Sequence, residues 1–433
     1  MYRIYFILIA LLLTNSARAQ LKQPCSTCLP EGIYFSTQAS IDNFQTNYPD
    51  CRVIDGDVLI YSYYITNLEG LSVLTAINGN LSLTNNNALF SLSGLENLTY
   101  IGGDLVIAGN DSILNLNGFD HLTFIQGHLE IDDNVSLINL VGLDSLNTIG
   151  GNLSMYGNDN LLNLSGLDKL NHITGGLYIG GNDKLIDIEN VINISSVSDV
   201  IIYNNFVLTS LEGLNNLTSV NGHLEISGNY NLPSLNGLEN IISVGGNLTI
   251  RSNSALINLA GLEGITFIAG ELHISDNNTL ANLSGLENID ANTISNLSIR
   301  YNDYLSTCDV QSICGYLAAP NGTIDITGNY TGCNSEAEVA AACEVGIDES
   351  SVVGRQSSVN IHPNPATDLI FIEILESKTH VQISIFDLNG RQILVRENCN
   401  QNQILKVAEL NSGIYFVKII TDEAVLQGKF IKQ

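Results

Sequence analysis

The sequence predicts an all-β protein: a parallel β-solenoid of coils about 24 residues long with disulfide-stapled ends, then a small C-terminal antiparallel β-sandwich. Three observations lead there. Asparagine recurs at Asn86, Asn110, Asn134, Asn158 and Asn182, each 24 residues after the last, and continues through Asn205, Asn229, Asn253, Asn277, Asn302 and Asn329 in steps of 23 to 27. Before most of them stands an alternating triplet, such as Leu105-Val106-Ile107, Leu129-Glu130-Ile131 or Leu153-Ser154-Met155. Eight cysteines avoid the array, with none between Cys51 and Cys308.

In chain order, Arg3, the apolar run 4–13 and Ala17-Arg18-Ala19 predict a cleaved signal peptide over residues 1–19. Residues 20–57 form an N-terminal cap, with a helix expected from Ser36 through Ile41 and Phe44 to near Pro49. The solenoid is expected over 58–305. Its period-2 triplets are short strands with both ends pointing inward, and frequent Gly and Asn leave no window for a helix. Stacked coils set Leu on Leu and Asn on Asn, and amides in such a column satisfy the turn backbone and one another. Residues 306–343 make a cysteine-rich cap. Cys28 is expected to pair with Cys51, leaving Cys25 over, while Cys308, Cys314, Cys333 and Cys343 allow three pairings. Polar, acidic residues 344–358 read as a linker. From 359 to 433, strand-length runs at Leu369–Ile374, Val381–Phe386, 414–420 and 424–431 predict the sandwich, with turns at Asn389-Gly390 and Asn411-Ser412-Gly413.

The formal charge of −28 argues against nucleic acid and anionic membrane surfaces as partners. No later run is long enough to be a transmembrane segment. A β-helical lyase needs cations to neutralise a uronate, yet between Asp55 and Asp303 only Lys169, Lys184, Arg251 and Arg300 face 26 acids. The acids sit mostly at turn positions, where Asp is a structural choice. His128-x-Glu130-x-Asp132 is the best metal-like cluster, but alternate residues on a strand stand roughly 6–7 Å apart, too far for three short side chains to converge. No metal or cofactor is expected. Tyr156, Tyr178 and Tyr203 share the outward face over three coils and are the candidate ligand-binding residues, because exposed rings with polar edges suit carbohydrate or protein contact.

Cys51 to Ile60, with the repeat that follows, resembles the opening of the receptor L domain of insulin- and epidermal-growth-factor-type receptors. That resemblance covers residues 25–343 and implies a right-handed β-helix with a capping helix. Pro363-Asn364-Pro365, Asp387-Leu388-Asn389-Gly390-Arg391, Leu410-Asn411-Ser412-Gly413-Ile414-Tyr415 and Gly428-Lys429-Phe430-Ile431-Lys432 resemble the type IX secretion sorting domain of Bacteroidota. It implies export through that machinery, removal of the domain, and a surface or extracellular product. Asp111-Ser112-Ile113 and Asp144-Ser145-Leu146 look like O-glycan acceptors of such bacteria, at Ser112 and Ser145. Together these features lead to a non-catalytic binding or adhesion protein with a carbohydrate or surface-protein ligand. The alternatives are a glycan-active β-helix hydrolase or lyase, and a purely structural surface spacer.

Overall fold

A computed structural model describes residues 27–347, 359–362, 365–374, 381–387, 391–399, 402–420 and 425–433. The expected signal peptide, residues 20–26 with Cys25, linker residues 348–358, and motif residues 363–364 and 388–390 lie outside them. The chain divides into two compact units, 1–346 and 347–433.

In the first unit the triplets become a parallel sheet of thirteen strands among the described residues, from Ile33–Phe35 to Ile324–Thr327. Register sets like on like: Leu129 lies between Leu105 and Leu153, and Ile131 between Ile107 and Met155. The sheet runs one strand past each expected bound of 58 and 305, because Ile33–Phe35 and Ile324–Thr327 also turn apolar residues inward. Two-residue strands make a second side. Seven, from Thr27–Cys28 to His172–Ile173, form one sheet, and four, from Ser196–Val197 to Phe267–Ile268, form another. The break falls where the asparagine step drops to 23: the corner between Val197 and Val200 is one residue shorter than that between Ile173 and Leu177.

The return side is built of turns, with 3-10 helices at Glu69–Leu71, Glu189–Val191 and Glu212–Leu214. Leu137, Leu140, Leu143 and Leu146 are fully buried at every third residue. Their N–H groups at 137, 143 and 146 donate to the carbonyls of Asn134, Leu140 and Leu143. Between them Gly142 has φ 113°, and a Cβ there would lie 2.1 Å from the Leu116 carbonyl oxygen of the preceding coil. Only glycine fits so close an approach, which explains why a Gly-Leu pair recurs, as at Gly94-Leu95, Gly142-Leu143 and Gly166-Leu167.

Eleven asparagines, Asn86 to Asn329, are buried and hydrogen-bonded in series. Oδ1 of Asn182 accepts the backbone N–H (3.1 Å) and Nδ2 (3.2 Å) of Asn158. Nδ2 of Asn158 also donates to the carbonyls of Ile131 (2.7 Å) and Tyr156 (3.1 Å). The series starts with the Ser62 N–H on Oδ1 of Asn86 and ends with the Asn302 N–H on Oδ1 of Asn329. The residue before each asparagine has φ between 53° and 71°. That left-handed step turns the chain from strand to corner, so Gly, Asn and Asp fill most of these positions.

The ends are closed separately. Cys28 pairs with Cys51, Cys308 with Cys333 and Cys314 with Cys343. The N-terminal cap helix is two pieces, Gln38–Asp42 and Phe44–Asn47, and starts after Thr37, whose side chain caps Ser40, rather than at Ser36. Ile41 and Phe44 plug the first coil. Gln311–Ala318 buries Ile313 and Tyr316 at the other end. The linker cannot begin at 344, because helix Glu336–Ile347 runs through it. Ala337, Ala340, Ala341 and Ala342 favour that helix, and Ser335 Oγ accepts the N–H of Glu338 to cap it.

The second unit has two antiparallel sheets, three and four strands among the described residues. They share a core of Ile370, Ile372, Leu405, Ile383, Ile385, Val417, Ile419 and Phe430. The four expected strands are present, joined by Val359–His362, Gln392–Cys399 and Asn402–Lys406, which the sequence reading passed over.

Replacing Asn158 with Leu would strand the Asn134 N–H and take the amide donor away from the carbonyls of Ile131 and Tyr156. A loss of about 3–5 kcal/mol is expected, read as a lowered denaturant midpoint for the solenoid transition.

Candidate functional site

The outward face of the thirteen-stranded sheet carries two columns of side chains, set by the parity that turns Leu153 and Met155, Leu177 and Ile179, and Val200 and Ile202 inward. Tyr178 occupies the column between Ser154 and Ile201. Tyr156 and Tyr203 occupy the other, on either side of Gly180. All three rings face outward, yet each is half-buried rather than freely exposed. The reason is local packing. Tyr203 leans over Gly180, where a Cβ would sit 2.3 Å from its ring, and meets Tyr156 at 5.8 Å between ring centres. Tyr178 leans the other way, and its hydroxyl donates to Oδ2 of Asp199 (3.0 Å). Gly180 is thus part of the site, and no sequence signal separated it from the turn glycines.

Burial, with the neighbouring Tyr203, Asp132 and Tyr178, pushes the Tyr156 phenol up to about 12. Burial, then the Asp199 contact, raises that of Tyr178. Next to Tyr156 lies Asp132, whose Oδ1 accepts the Tyr156 N–H (3.1 Å). Burial pushes its carboxyl from 3.8 up to about 6; the Tyr156 N–H opposes this, and the charges of Glu130 and Asp133 add to it.

The other acids are largely structural. In seven coils a carboxylate two residues after the return-side glycine accepts that glycine's N–H: Glu96, Asp120, Asp144, Asp168, Glu239, Glu263 and Glu287. At the corner before the main strands, Asp104 and Asp199 accept the N–H of the next coil, as do Asn80 and Asn152. His128 and His223 take the same place: Nδ1 of each accepts the N–H of Asn152 (2.8 Å) or Asn247 (3.0 Å). The proton of each neutral ring is then on Nε2.

Both glycan acceptor candidates lie on turns. Ser112 Oγ donates to the Asn87 carbonyl (2.5 Å), and Asp111 is bonded by Asn87 Nδ2. Ser145 is half-buried, and the Asp144 before it holds the Gly142 N–H. On the return side, a shallow groove of about 380 Å³ is lined by Leu114, Ser136, Ile138, Asn160, Leu162 and Lys184. It lies among exposed Phe90, Leu114, Ile138, Leu162 and Ile186, one per coil, four residues after each ladder asparagine. The sequence reading missed this stripe because it breaks the period-2 template.

These features define a rigid repeat module with a decorated outer face, joined to a small β-domain. The Receptor L domain family model matches residues 50–114 and 99–198, and the model for the secretion system C-terminal sorting domain matches residues 360–433. Residues 50–198 are therefore similar to the receptor L domain and residues 360–433 to a type IX sorting domain, and the latter marks a secreted or cell-surface protein. A search of curated proteins returns no match. No helix among the described residues is long and apolar enough to cross a membrane.

Because burial favours the neutral acid, the folded chain holds a proton on Asp132 that the unfolded carboxyl releases near 3.8. The contribution is whole below that value and is lost as pH rises through about 6. Asp132→Asn keeps the Oδ1 acceptor for Tyr156. It is expected to be about 1 kcal/mol more stable than the native chain at roughly pH 8, after solvent screening, and no more stable at roughly pH 3. Melts of both proteins at the two pH values measure this.

Proposed function

We propose that the solenoid is a non-catalytic binding or adhesion module, displayed on the cell surface or released, and that it contacts its ligand through the main outward sheet around Tyr156, Tyr178 and Tyr203. The employment of the acids supports this most. Many of the carboxylates are held by the protein's own turn N–H groups, coil after coil, rather than free for proton transfer. The cations are partly taken as well: Arg251 pairs with Glu225 and Arg300 with Asp325, each at 3.3 Å. Export by a sorting domain places such a module where extracellular ligands are met.

One observation favours a hydrolase as the second reading. Glu130 and Asp132 stand on the same outward strand, and Asp132 at about 6 stays partly protonated near neutrality, as a general acid must.

The full-length protein, presented with a panel of polysaccharides, distinguishes the readings. Retention without release of reducing ends is expected, weakened roughly tenfold by changing all three tyrosines to serine in a folded variant. Sugar release that Glu130→Gln abolishes would replace binding with hydrolysis. Absence of retention and turnover alike would leave a surface spacer.

A further inference from the structure

An exposed aromatic surface lies away from that trio, on the first two coils. Tyr34, at the centre of Ile33–Phe35, is 54% exposed and lies beside Leu59 in register. Tyr61, Tyr63 and Tyr64 follow in the corner after the second strand, the last two 55% and 83% exposed. The rings of Tyr61 and Tyr63 meet edge to face at 6.5 Å, and the Tyr34 hydroxyl reaches the Tyr61 carbonyl at 3.5 Å.

The first rung of the asparagine series holds this corner in place. The N–H of buried Ser62 donates to Oδ1 of Asn86 (2.9 Å), and Ser62 Oγ accepts the N–H of Tyr64 (3.3 Å). The Tyr61 N–H donates to the Phe35 carbonyl (3.1 Å), tying the corner to the edge strand. The backbone is thus fixed before a ligand arrives, so few degrees of freedom are lost on binding.

We infer that Tyr34, Tyr61, Tyr63 and Tyr64 form a binding site for a neutral glycan chain; the inference rests on the reading of the solenoid as a binding module and names a second place and a ligand class for it. A sugar ring has an apolar face and a hydroxylated edge, and tyrosine offers the matching pair of surfaces. Leu59 is the patch's aliphatic member, whereas a hydrophobic peptide would call for several. Charge then selects among glycans. The chain's formal charge of −28 repels uronate and sulfated chains.

The test is affinity electrophoresis of the full-length protein through gels containing soluble neutral β-glucan or mannan, with polygalacturonate as the anionic control. Tyr63→Ser with Tyr64→Ser is expected to weaken retention about tenfold without changing the melting temperature. Tyr63→Phe with Tyr64→Phe should keep most of it, because the ring faces remain. Unchanged retention in the folded serine variant overturns the assignment, as does retention on polygalacturonate alone. If the Tyr156, Tyr178 and Tyr203 variant loses retention while this one keeps it, the module binds glycan but not here. If no neutral glycan retards the native protein and a protein ligand is captured through these tyrosines instead, the patch stands as an interface and the glycan assignment falls.

Discussion

Everything in the solenoid depends on how the buried amides of Asn86 to Asn329 are satisfied. A primary amide in an apolar interior is costly unless both donors and the carbonyl find partners. Each asparagine here takes them from its own strand end and the adjoining coils, so no rung is complete without its neighbour. The consequence is geometric. The spacing between rungs must equal the spacing between strands, and one axial repeat then governs the main sheet, the corners and the return side together.

That shared repeat also governs what faces solvent. Because Leu and Ile of each triplet are pinned inward, the residue between them has no choice of face. Tyr178 stands outward for this reason, and Tyr156 and Tyr203 converge because glycine occupies the coil between them. The electrostatics follow as well. A strongly acidic chain would repel itself, yet many carboxylates sit on unpaired turn N–H groups, where partial positive charge offsets theirs. Asp132 is different, since burial beside Tyr156 outweighs the single N–H it receives.

How much of this was legible varied with the physical signal. The asparagine interval and the Leu-x-Ile triplets were plain, because strand alternation and a fixed period leave a repeating mark in one chain. The return side was less so. Its interior residues, such as Leu137, Leu140, Leu143 and Leu146, recur at a spacing of three that belongs to neither strand nor α-helix. Cysteine pairing at the C-terminal end was open for a different reason: Cys308, Cys314, Cys333 and Cys343 meet only after two cap helices are placed. Of the candidate site, the orientation of the tyrosines followed from parity, but their half-burial did not. It depends on the leaning of Tyr203 across Gly180 and of Tyr178 toward Asp199, contacts between residues more than twenty positions apart.

The shortened corner between Val197 and Val200 shows what the architecture tolerates in its own making. The second side divides into two sheets beside this corner while the main sheet continues unbroken. Gain or loss of a whole coil would do less, since similar surfaces would meet across the joint and both plugged ends would stay as they are. Duplication or deletion of 24-residue segments is therefore a nearly silent genetic event for folding. It would change the reach of the molecule by about 4.8 Å at a time. A lineage carrying such a gene could vary the length of its surface display by unequal recombination, keeping intact the tyrosines at one end and the secretion signal at the other.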